Sequence, residues 1–430
     1  MTSDVSSLDS KRIPGSLPTN TLPFVVGFYF AFRLFIMLLS VRILGTDPRT
    51  GTALSLAIDF LLLPCVAFCA LGEPHHQLRQ LTQLPVAPWV IVFLGFSCCS
   101  LLWSGTASMA TSTAYWCGMA ADVAIVVMLT LTEPPASAAI PFMEGYVWGA
   151  CVVAVIAWLM PAQSDLRLGD EELLGANQIG YLCGFAFFIA QFLMREKNGK
   201  FNYQALLLAI TLLRSLSKTT IVAFLVSEGF LLIMDRSISR KKKILAVLAT
   251  AGVVVALWGQ LSSYYDVYSN AGSQSSTLTG RVGIWTYLLA EALQQPWIGH
   301  GFDSVWKVVP PFGPDQFEAA HAHNELLQQF YAYGAVGVCM FIGIYGSFYR
   351  HIRRLAVGPL RTFLFAFLIF ILVRGIADTE RFDLSLPMWA IVMFSLLIMQ
   401  ARTRQAESPG PATAESLPLA IPPSSSFDHQ

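Results

Sequence analysis

Two histidines in the run His321-Ala322-His323-Asn324 stand where a polar segment meets a long apolar one. An imidazole at the start of a helix faces the positive end of the helix dipole, which disfavours its protonated form. A neutral imidazole can accept a proton from a hydroxyl group, so His323 is a candidate general base. The alternative is that His323 only caps the helix.

A third histidine, in Gly299-His300-Gly301, suggests a different chemistry. Together with His321 and His323 it could complete a three-histidine zinc site. No carboxylate of the same polar segment stands at a recognised ligand spacing from these histidines. We therefore predict no metal and no other cofactor, with the three-histidine site as the alternative.

Two glycines follow the histidines, Gly334 and Gly337. They lie three residues apart and hence on one face of a helix, where small residues let a neighbouring helix approach closely. The sequence predicts such a close helix contact beside the histidines.

The composition identifies the environment in which these groups work. Charged residues make up 13% of the chain and apolar residues 55%, and the mean hydropathy is +0.57. Ordinary globular proteins carry about 25% charged residues, so this chain has too few to cover a water-exposed surface. The 27 basic residues equal the 27 acidic ones, which excludes a generally basic nucleic-acid binder. We expect membrane lipid, and no nucleic acid, as a partner.

Apolar segments near the length needed to cross a bilayer, about 17 to 25 residues, recur along the chain. They are residues 22–44, 52–71, 86–103, 112–131, 140–160, 174–194, 203–213, 219–234, 244–261, 324–349, 360–376 and 386–401. The fold class predicted from them is an all-α polytopic membrane protein with about 12 transmembrane helices.

Basic clusters before residue 203 and after residue 234 fix the orientation, because such clusters mark the cytoplasmic side. The chain between them must cross twice or form a re-entrant hairpin, with its tip at 214–218 on the far side. Both termini are then cytoplasmic, and the long connection 262–323 is periplasmic. We divide the chain into a cytoplasmic tail (1–21), a transmembrane domain (22–401) and a disordered cytoplasmic tail (402–430) rich in Pro, Ser and Ala.

The long connection contains an amphipathic stretch at 281–294. Its apolar residues at helical spacing are Ile284, Trp285, Leu288, Leu289 and Leu293. This pattern predicts a helix that lies on the membrane face.

Basic residues outside the cytoplasmic clusters concentrate at the outer ends of the predicted helices. They are Arg33, Arg42, Arg49, Arg167, Arg214, Lys218, Arg281, Lys307, Arg374 and Arg381. A cationic cavity beside lipid suits a lipid-linked phosphate or diphosphate, because guanidinium forks match phosphate oxygens. The alternative is that these cations snorkel or form ion pairs with acidic residues. The candidate acidic partners are Asp59, Asp122, Glu228, Asp378 and Glu380.

The spacing around the histidines resembles a known family. His323-Asn324, nine residues and Gly334-x-x-Gly337 are similar to the signature of the O-antigen ligase and polymerase superfamily. The segment from Gly280-Arg281-x-x-x-Trp285 to Pro296-x-x-Gly299-x-Gly301 resembles the stretch that precedes it there. The resemblance implies a GT-C-like inner-membrane glycosyltransferase that moves a glycan from undecaprenyl diphosphate to an acceptor at the periplasmic face.

The resemblance also implies roles for single residues. Arg281 matches a loop arginine that contacts the diphosphate, and His323 matches an essential histidine. The family's hairpin tip reads Ser-Arg-Thr or Ser-Arg-Gly, whereas this chain has Ser217-Lys218-Thr219. Lysine keeps the charge but lacks the fork, so we expect Arg214 to share the role of Lys218.

The expected chemistry is a metal-independent transfer that inverts the anomeric centre. Cations stabilise the diphosphate leaving group, His323 deprotonates the acceptor hydroxyl, and His321 and Asn324 orient His323. Arg374 and Asp378, at i,i+4 spacing, form either a structural ion pair or part of the acceptor site. The acceptor, a lipid A core sugar or another saccharide, distinguishes ligase from polymerase and stays open, and a polysaccharide or lipid-linked oligosaccharide transporter or flippase is the alternative function.

Overall fold

The structure is a computed structural model that describes residues 21–71, 84–132, 135–161, 163, 167–170, 173–197, 199–234, 239–256, 258–259, 262, 278–304, 321–379 and 385–407. Within these ranges the regular secondary structure is helical, apart from one isolated bridge between Asp170 and Leu174. The all-α prediction is therefore confirmed for the described part of the chain.

The described helices follow one another in simple order. They are α1 (Thr21–Arg42), α2 (Pro48–Leu71), α3 (Ala87–Ser100), α4 (Met109–Thr132), α5 (Pro135–Leu159), α6 (Ala176–Glu196), α7 (Asn202–Arg214), α8 (Lys218–Met234), α9 (Arg240–Ala256), α10 (Leu278–Ala292), α11 (Glu325–Arg353), α12 (Pro359–Gly375) and α13 (Ser385–Glu407). Every apolar segment predicted from the sequence has its own helix among them.

Not all of these helices have the length and composition of a membrane span. Six stretches do: Thr21–Arg42, Thr50–Cys69, Met109–Thr130, Pro135–Leu159, Ala176–Glu196 and Glu325–Arg353. Others, such as α3 and α7, are too short to qualify alone. The chain is a multi-pass membrane protein, and the figure of about 12 crossings stays a prediction.

The centre of the bundle is built from glycines and aromatic rings. On α1 and α5, Gly27 and Gly145 let the two backbones touch, because a Cβ at Gly27 would lie 2.0 Å from the carbonyl oxygen of Phe142. Trp389 of α13 is fully buried and its ring packs against those of Phe30 and Phe142. These contacts hold α1, α5 and α13 together as one rigid core.

Four segments meet at one end of the bundle: the α7–α8 tip, the start of α10, the start of α11 and the end of α12. Arg281 of α10 contacts Thr219 of α8, and Asn324 contacts Ile376 beyond α12. The hairpin tip and the long connection therefore share one end of the molecule, as the sequence analysis expects.

Helix α10 confirms that the predicted amphipathic segment is helical, and its placement on the membrane face stays a prediction. Ile284 and Leu288 are buried against the start of α11, together with Ala292. Leu289 and Leu293 of the same apolar pattern are exposed. The buried positions are spaced by four residues, so the contact with α11 uses only part of the apolar pattern.

The predicted boundaries of the tails change slightly. Helix α13 continues to Glu407, past the predicted end of the transmembrane domain at residue 401. Residues 1–20 and 408–430 lie outside the described residues, so the rest of both predicted tails stays a prediction.

Candidate active site

The backbone of His323 is unusual. His323 has φ +50°, in the left-handed region that residues with a Cβ rarely adopt. Such strain persists only where the surroundings enforce it, and it concentrates at functional sites. Here the strained turn lies directly before Asn324, the N-cap of α11.

Asn324, rather than His323, caps α11. The Asn324 side chain accepts a hydrogen bond from the backbone N–H of Leu327 at 2.9 Å, which is the usual geometry of an N-cap. Its amide nitrogen donates to the carbonyl oxygen of Ile376 at 2.8 Å. Asn324 therefore supplies the helix cap that was the alternative role for His323. The role of Asn324 in orienting His323 stays a prediction.

A buried carboxylate faces His323. Oδ1 of Asp378 lies 3.7 Å from Nδ1 of His323, and Oδ2 of Asp378 lies 3.5 Å from Nη2 of Arg374. Burial alone would raise the pKa of Asp378, but Arg374 and His323 outweigh it and hold that pKa below its ordinary value. Asp378 is therefore an anion beside the imidazole, and the i,i+4 pair predicted with Arg374 is present.

Further hydrogen bonds attach the segment after α12 to the first turn of α11. Thr379 donates to Oε2 of Glu325 at 2.7 Å, and Gln329 donates to Oε1 of the same carboxylate at 2.9 Å. A carboxylate in the first turn also suits the helix dipole. These contacts fix Asp378 relative to His323, although the two residues are far apart in sequence.

His321 lies directly against His323, with ring centroids 4.1 Å apart. Burial lowers the pKa of His321 to about 3, and repulsion by His323, Arg374 and Arg281 adds to the effect while Asp378 opposes it. His321 is consequently neutral at physiological pH. It can donate or accept a hydrogen bond beside His323 without adding charge.

Arg281 on α10 connects the histidines to the hairpin tip. Its Nη1 donates to the hydroxyl of Thr219 at 3.3 Å, and one turn later Trp285 donates to the carbonyl oxygen of Ala322 at 2.9 Å. Arg281 is therefore close to both Lys218 and the histidine pair, and its contact with a diphosphate stays a prediction.

The hairpin tip is a second strained turn. Leu216 has φ +56°, which is rare for a branched residue. The tip packs tightly on α6, since a Cβ at Gly180 would lie 2.9 Å from the Ser217 side chain. Burial and repulsion by Arg167 and Arg281 hold the pKa of Lys218 below its ordinary value, so three cations gather around the tip.

Arg214 and Arg374 take different positions. Arg214 is the last residue of α7, just before the tip, where it is partly buried. Arg374 is fully buried, and its guanidinium carbon lies 3.7 Å from the centroid of the Tyr181 ring. Arg374 thus supports Asp378 from inside the bundle, and its predicted part in an acceptor site stays a prediction.

Gly334 ends the short helix that begins after Asn324. Its φ of +60° and ψ of −154° break α11, and the segment 296–301 fills the break. His300 and Gly301 donate backbone hydrogen bonds to Tyr331 and Ala332, at 3.0 and 2.8 Å. A Cβ at Gly334 would lie 2.4 Å from the Trp297 carbonyl carbon. The expectation of a neighbouring helix at these glycines is wrong for the described residues, because the turn at 296–301 approaches Gly334 and Gly337 packs against Tyr333 and Gln329 of its own helix.

His300 takes part in this junction rather than joining the other histidines. Its ring stacks on Tyr331 at 4.6 Å and its Nε2 lies 3.2 Å from the Glu291 carbonyl oxygen. Across the described ranges, no three His, Cys, Asp or Glu side chains are grouped to hold a metal ion. The three-histidine alternative thus lacks geometric support, and metal independence stays a prediction.

Of the remaining outer cations, two form ion pairs and three have side chains outside the described part of the structure. Arg33 binds both oxygens of Asp122 at 2.7 Å, and Arg42 binds Asp170 at 2.7 Å. For these two the ion-pair alternative is correct. The side chain of Arg49, and all of Lys307 and Arg381 with the candidate partner Glu380, lie outside the described residues.

Comparison with known proteins supports the family resemblance. The family model described as O-antigen ligase matches residues 204–342, which include Lys218, Arg281 and His323. This matched part of the chain is similar to the O-antigen ligase and polymerase superfamily. It is 24% identical over 349 residues to the exopolysaccharide production protein ExoQ of Rhizobium meliloti, covering 75% of this chain and 77% of that protein. It is 28% identical over 144 residues to an O-antigen ligase of Pseudomonas aeruginosa, covering 33% of each.

The family match ends before two residues of the site. Arg374 and Asp378 lie beyond residue 342, and Arg167 lies before residue 204. From the sequence, Asp378 is expected either in an ion pair with Arg374 or in an acceptor site, and Arg167 is expected only as one of ten outer cations. Their contacts with His323 and Lys218 join segments that are distant in the chain, and no local spacing signals either contact.

Proposed function

We propose that this protein transfers a glycan from undecaprenyl diphosphate to an acceptor hydroxyl, with inversion and without a metal. The observation that carries the proposal is the position of His323 between an anionic Asp378 and the Arg281–Lys218 cation cluster. A base and a binding site for a diphosphate lie side by side, which is what glycosyl transfer from a lipid diphosphate requires.

In the proposed reaction the acceptor oxygen attacks the anomeric carbon while Nε2 of His323 takes its proton. The bond from the anomeric carbon to the phosphate oxygen breaks, and its electron pair leaves with undecaprenyl diphosphate. Arg281 and Lys218 stabilise the charge that develops there, with Arg214 nearby. Asp378 stabilises the imidazolium through Nδ1; the 3.7 Å separation needs to shorten by less than 1 Å to form a hydrogen bond.

The burial of Asp378 supports a single displacement. Its side chain is 1% exposed and lies behind His323 and Arg374. A carboxylate that formed a covalent glycosyl intermediate would have to reach the anomeric carbon directly. Asp378 is placed to assist the histidine instead, so one displacement with inversion is the expected course.

A reconstituted assay tests this proposal. Purified protein in lipid nanodiscs receives a polyprenyl-diphosphate-linked glycan and a saccharide acceptor, before and after exhaustive chelation. We expect transfer with an inverted linkage, measured by NMR of the product, at an unchanged rate after chelation. A retained configuration, or activity restored only by a divalent ion, would contradict the mechanism. Movement of the donor across the bilayer without transfer would instead support the transporter alternative.

The two relatives differ in the class of polysaccharide product that they suggest for this protein. Similarity to an exopolysaccharide production protein extends over most of the chain, whereas similarity to an O-antigen ligase covers a third of it. This difference supports an exopolysaccharide as the product. In a deletion strain, accumulation of single lipid-linked repeat units would identify a polymerase, and accumulation of long lipid-linked chains would identify a ligase.

We further propose that the site faces the periplasm, in a bacterial inner membrane with both termini cytoplasmic. The support is the basic clusters on either side of 203–234, together with the shared location of the tip and the long connection. A periplasm-active reporter after Ser217 or within 273–279 should be active, and one after Lys243 inactive. Inactive reporters at both outer positions would reverse the orientation.

A further inference from the structure

The loop that precedes α6 places one more guanidinium beside the hairpin tip. The loop and the tip pack on the same first turn of α6: a Cβ at Gly169 would lie 2.5 Å from Ile179, and one at Gly180 would lie 2.9 Å from Ser217. Arg167 is close enough to Lys218 to lower the pKa of its ammonium by repulsion, as Arg281 does. Arg167 thus lies beside the tip although it stands outside residues 204–342.

This loop is braced along its length. The backbone N–H of Gln163 donates to the carbonyl oxygen of Arg167 at 2.9 Å, and that of Asp170 donates to Leu174 at 3.0 Å. Gly169 has φ +93°, which permits the tight turn between these two contacts. The Asp170 carboxylate binds Arg42 at the end of α1 at 2.7 Å. Arg167 is therefore presented by a loop anchored at both ends.

Arg167 and Arg281 repel the Lys218 ammonium and hold its pKa below the ordinary value. An anion of high charge bound beside these cations would offset that repulsion. A diphosphate has that charge. It also offers pairs of oxygens that match guanidinium forks, which a lysine ammonium cannot engage bidentately.

We propose that Arg167 binds the diphosphate of the donor and supplies the guanidinium fork that Lys218 lacks. The proposal rests on the function proposed above. In this proposal Arg167 and Arg281 each bind phosphate oxygens of the donor, and Lys218 contributes a single positive charge beside them. Arg42 and Asp170 act as positioning residues for the loop.

Binding of a short-chain prenyl diphosphate to the full-length protein in nanodiscs tests the proposal, with the matching monophosphate as a comparison. Loss of a charge-assisted bidentate contact weakens binding by about 10-fold or more. We expect that loss for Arg167→Ala, a smaller loss for Arg167→Lys, and little change for the exposed control Arg240→Ala beyond the other end of α8. The Arg167→Ala loss should be larger for the diphosphate than for the monophosphate.

The decisive variant adds Lys218→Arg to Arg167→Ala. If Arg167 supplies the missing fork, an arginine at 218 should recover most of the diphosphate affinity, with normal elution and melting showing that both variants fold. Wild-type affinity in Arg167→Ala, or no recovery in the double variant, would overturn the proposal. Failure of the wild type and of Arg281→Ala to differ in binding would instead count against the proposed function.

Discussion

Two buried arginine–aspartate pairs in this protein differ in how completely the carboxylate oxygens are hydrogen-bonded. Inside the bundle, Nη1 of Arg33 donates to both oxygens of Asp122 at 2.7 Å, and the guanidinium also lies over the Phe30 ring. At the outer end, Arg374 and Asp378 are more deeply buried, yet Nη2 of Arg374 lies 3.5 Å from Oδ2 of Asp378. Among the described residues, neither carboxylate oxygen of Asp378 has a hydrogen-bond partner.

The difference separates a contact that stabilises the fold from one that serves a reaction. A closely hydrogen-bonded pair lowers the cost of burying a charge within the membrane. Its hydrogen-bonding groups are already occupied and cannot bind a ligand. A looser contact leaves Asp378 able to respond when the adjacent imidazole gains a proton. Low-dielectric surroundings make that response large. The first region should govern stability and the second should govern turnover.

The largest effect is expected from Asp122→Ala, which leaves Arg33 buried without its closest partner. Removing one member of a buried pair costs roughly 3 kcal/mol of unfolding free energy, measured here by denaturant unfolding in mixed micelles. The double variant Arg33→Met with Asp122→Leu should regain most of that stability. Donor affinity of the folded fraction should stay normal, and a selective loss of donor affinity would assign this pair to the active site.

His323→Gln should reduce turnover by about 100-fold or more, because glutamine cannot take the acceptor proton. Donor binding should persist, since Arg281 and Lys218 are unchanged. The measurement is the transfer rate alongside donor affinity, with melting temperature as the control for folding. Near-normal turnover would end the general-base assignment, because Asn324 already caps the helix.

Asp378→Asn should have a smaller effect on turnover, about 10-fold, because the base itself remains. The lowered pKa of Asp378 means that its carboxylate stays charged at and above its ordinary value of about 3.8 and loses its charge only below that. Loss of wild-type activity between pH 7 and 4 therefore reports another group. The measurement is the transfer rate alongside donor affinity, which should stay normal. Wild-type turnover in Asp378→Asn would contradict the proposed contact with His323.

The smallest effect is expected from His321→Gln. With a pKa of about 3, His321 is neutral throughout the working pH range, so its removal changes no charge. Turnover should fall only a few-fold, through the position of the His323 ring, and the shape of the pH–rate profile between pH 4 and 9 should be unchanged. A shifted profile would show that His321, rather than His323, carries the proton.

Sequence patterns predict the helices and the central residues of this site but not its contacts. Hydropathy locates every helix because each is governed by local composition, and Arg281, Lys218 and His323 fall together as expected. The approach of Asp378 to His323 depends on the bonds from Asn324 and Glu325 to the segment after α12. Contacts between segments that are distant in the chain cannot be predicted from the spacing of residues in the sequence.

The glycines illustrate the same limit. Two small residues three apart are a common sign of helix packing, yet Gly334 adopts φ +60° and ends a helix. The identity of the approaching segment depends on where 296–301 returns in space. The spacing of the glycines indicates that another part of the chain approaches closely. Only the structure shows that this part is the segment 296–301.

The break at Gly334 is held in place by main-chain contacts rather than by side chains. Pro296 and Trp297 accept hydrogen bonds from the backbone N–H groups of Ala335 and Val336, at 2.7 and 3.2 Å. Because every residue offers a main-chain carbonyl, and all but proline an N–H, such a junction depends little on the surrounding side chains. Exchanging the residues of 296–301 or 331–336 for those of a relative should therefore preserve the junction as long as residue 334 stays glycine.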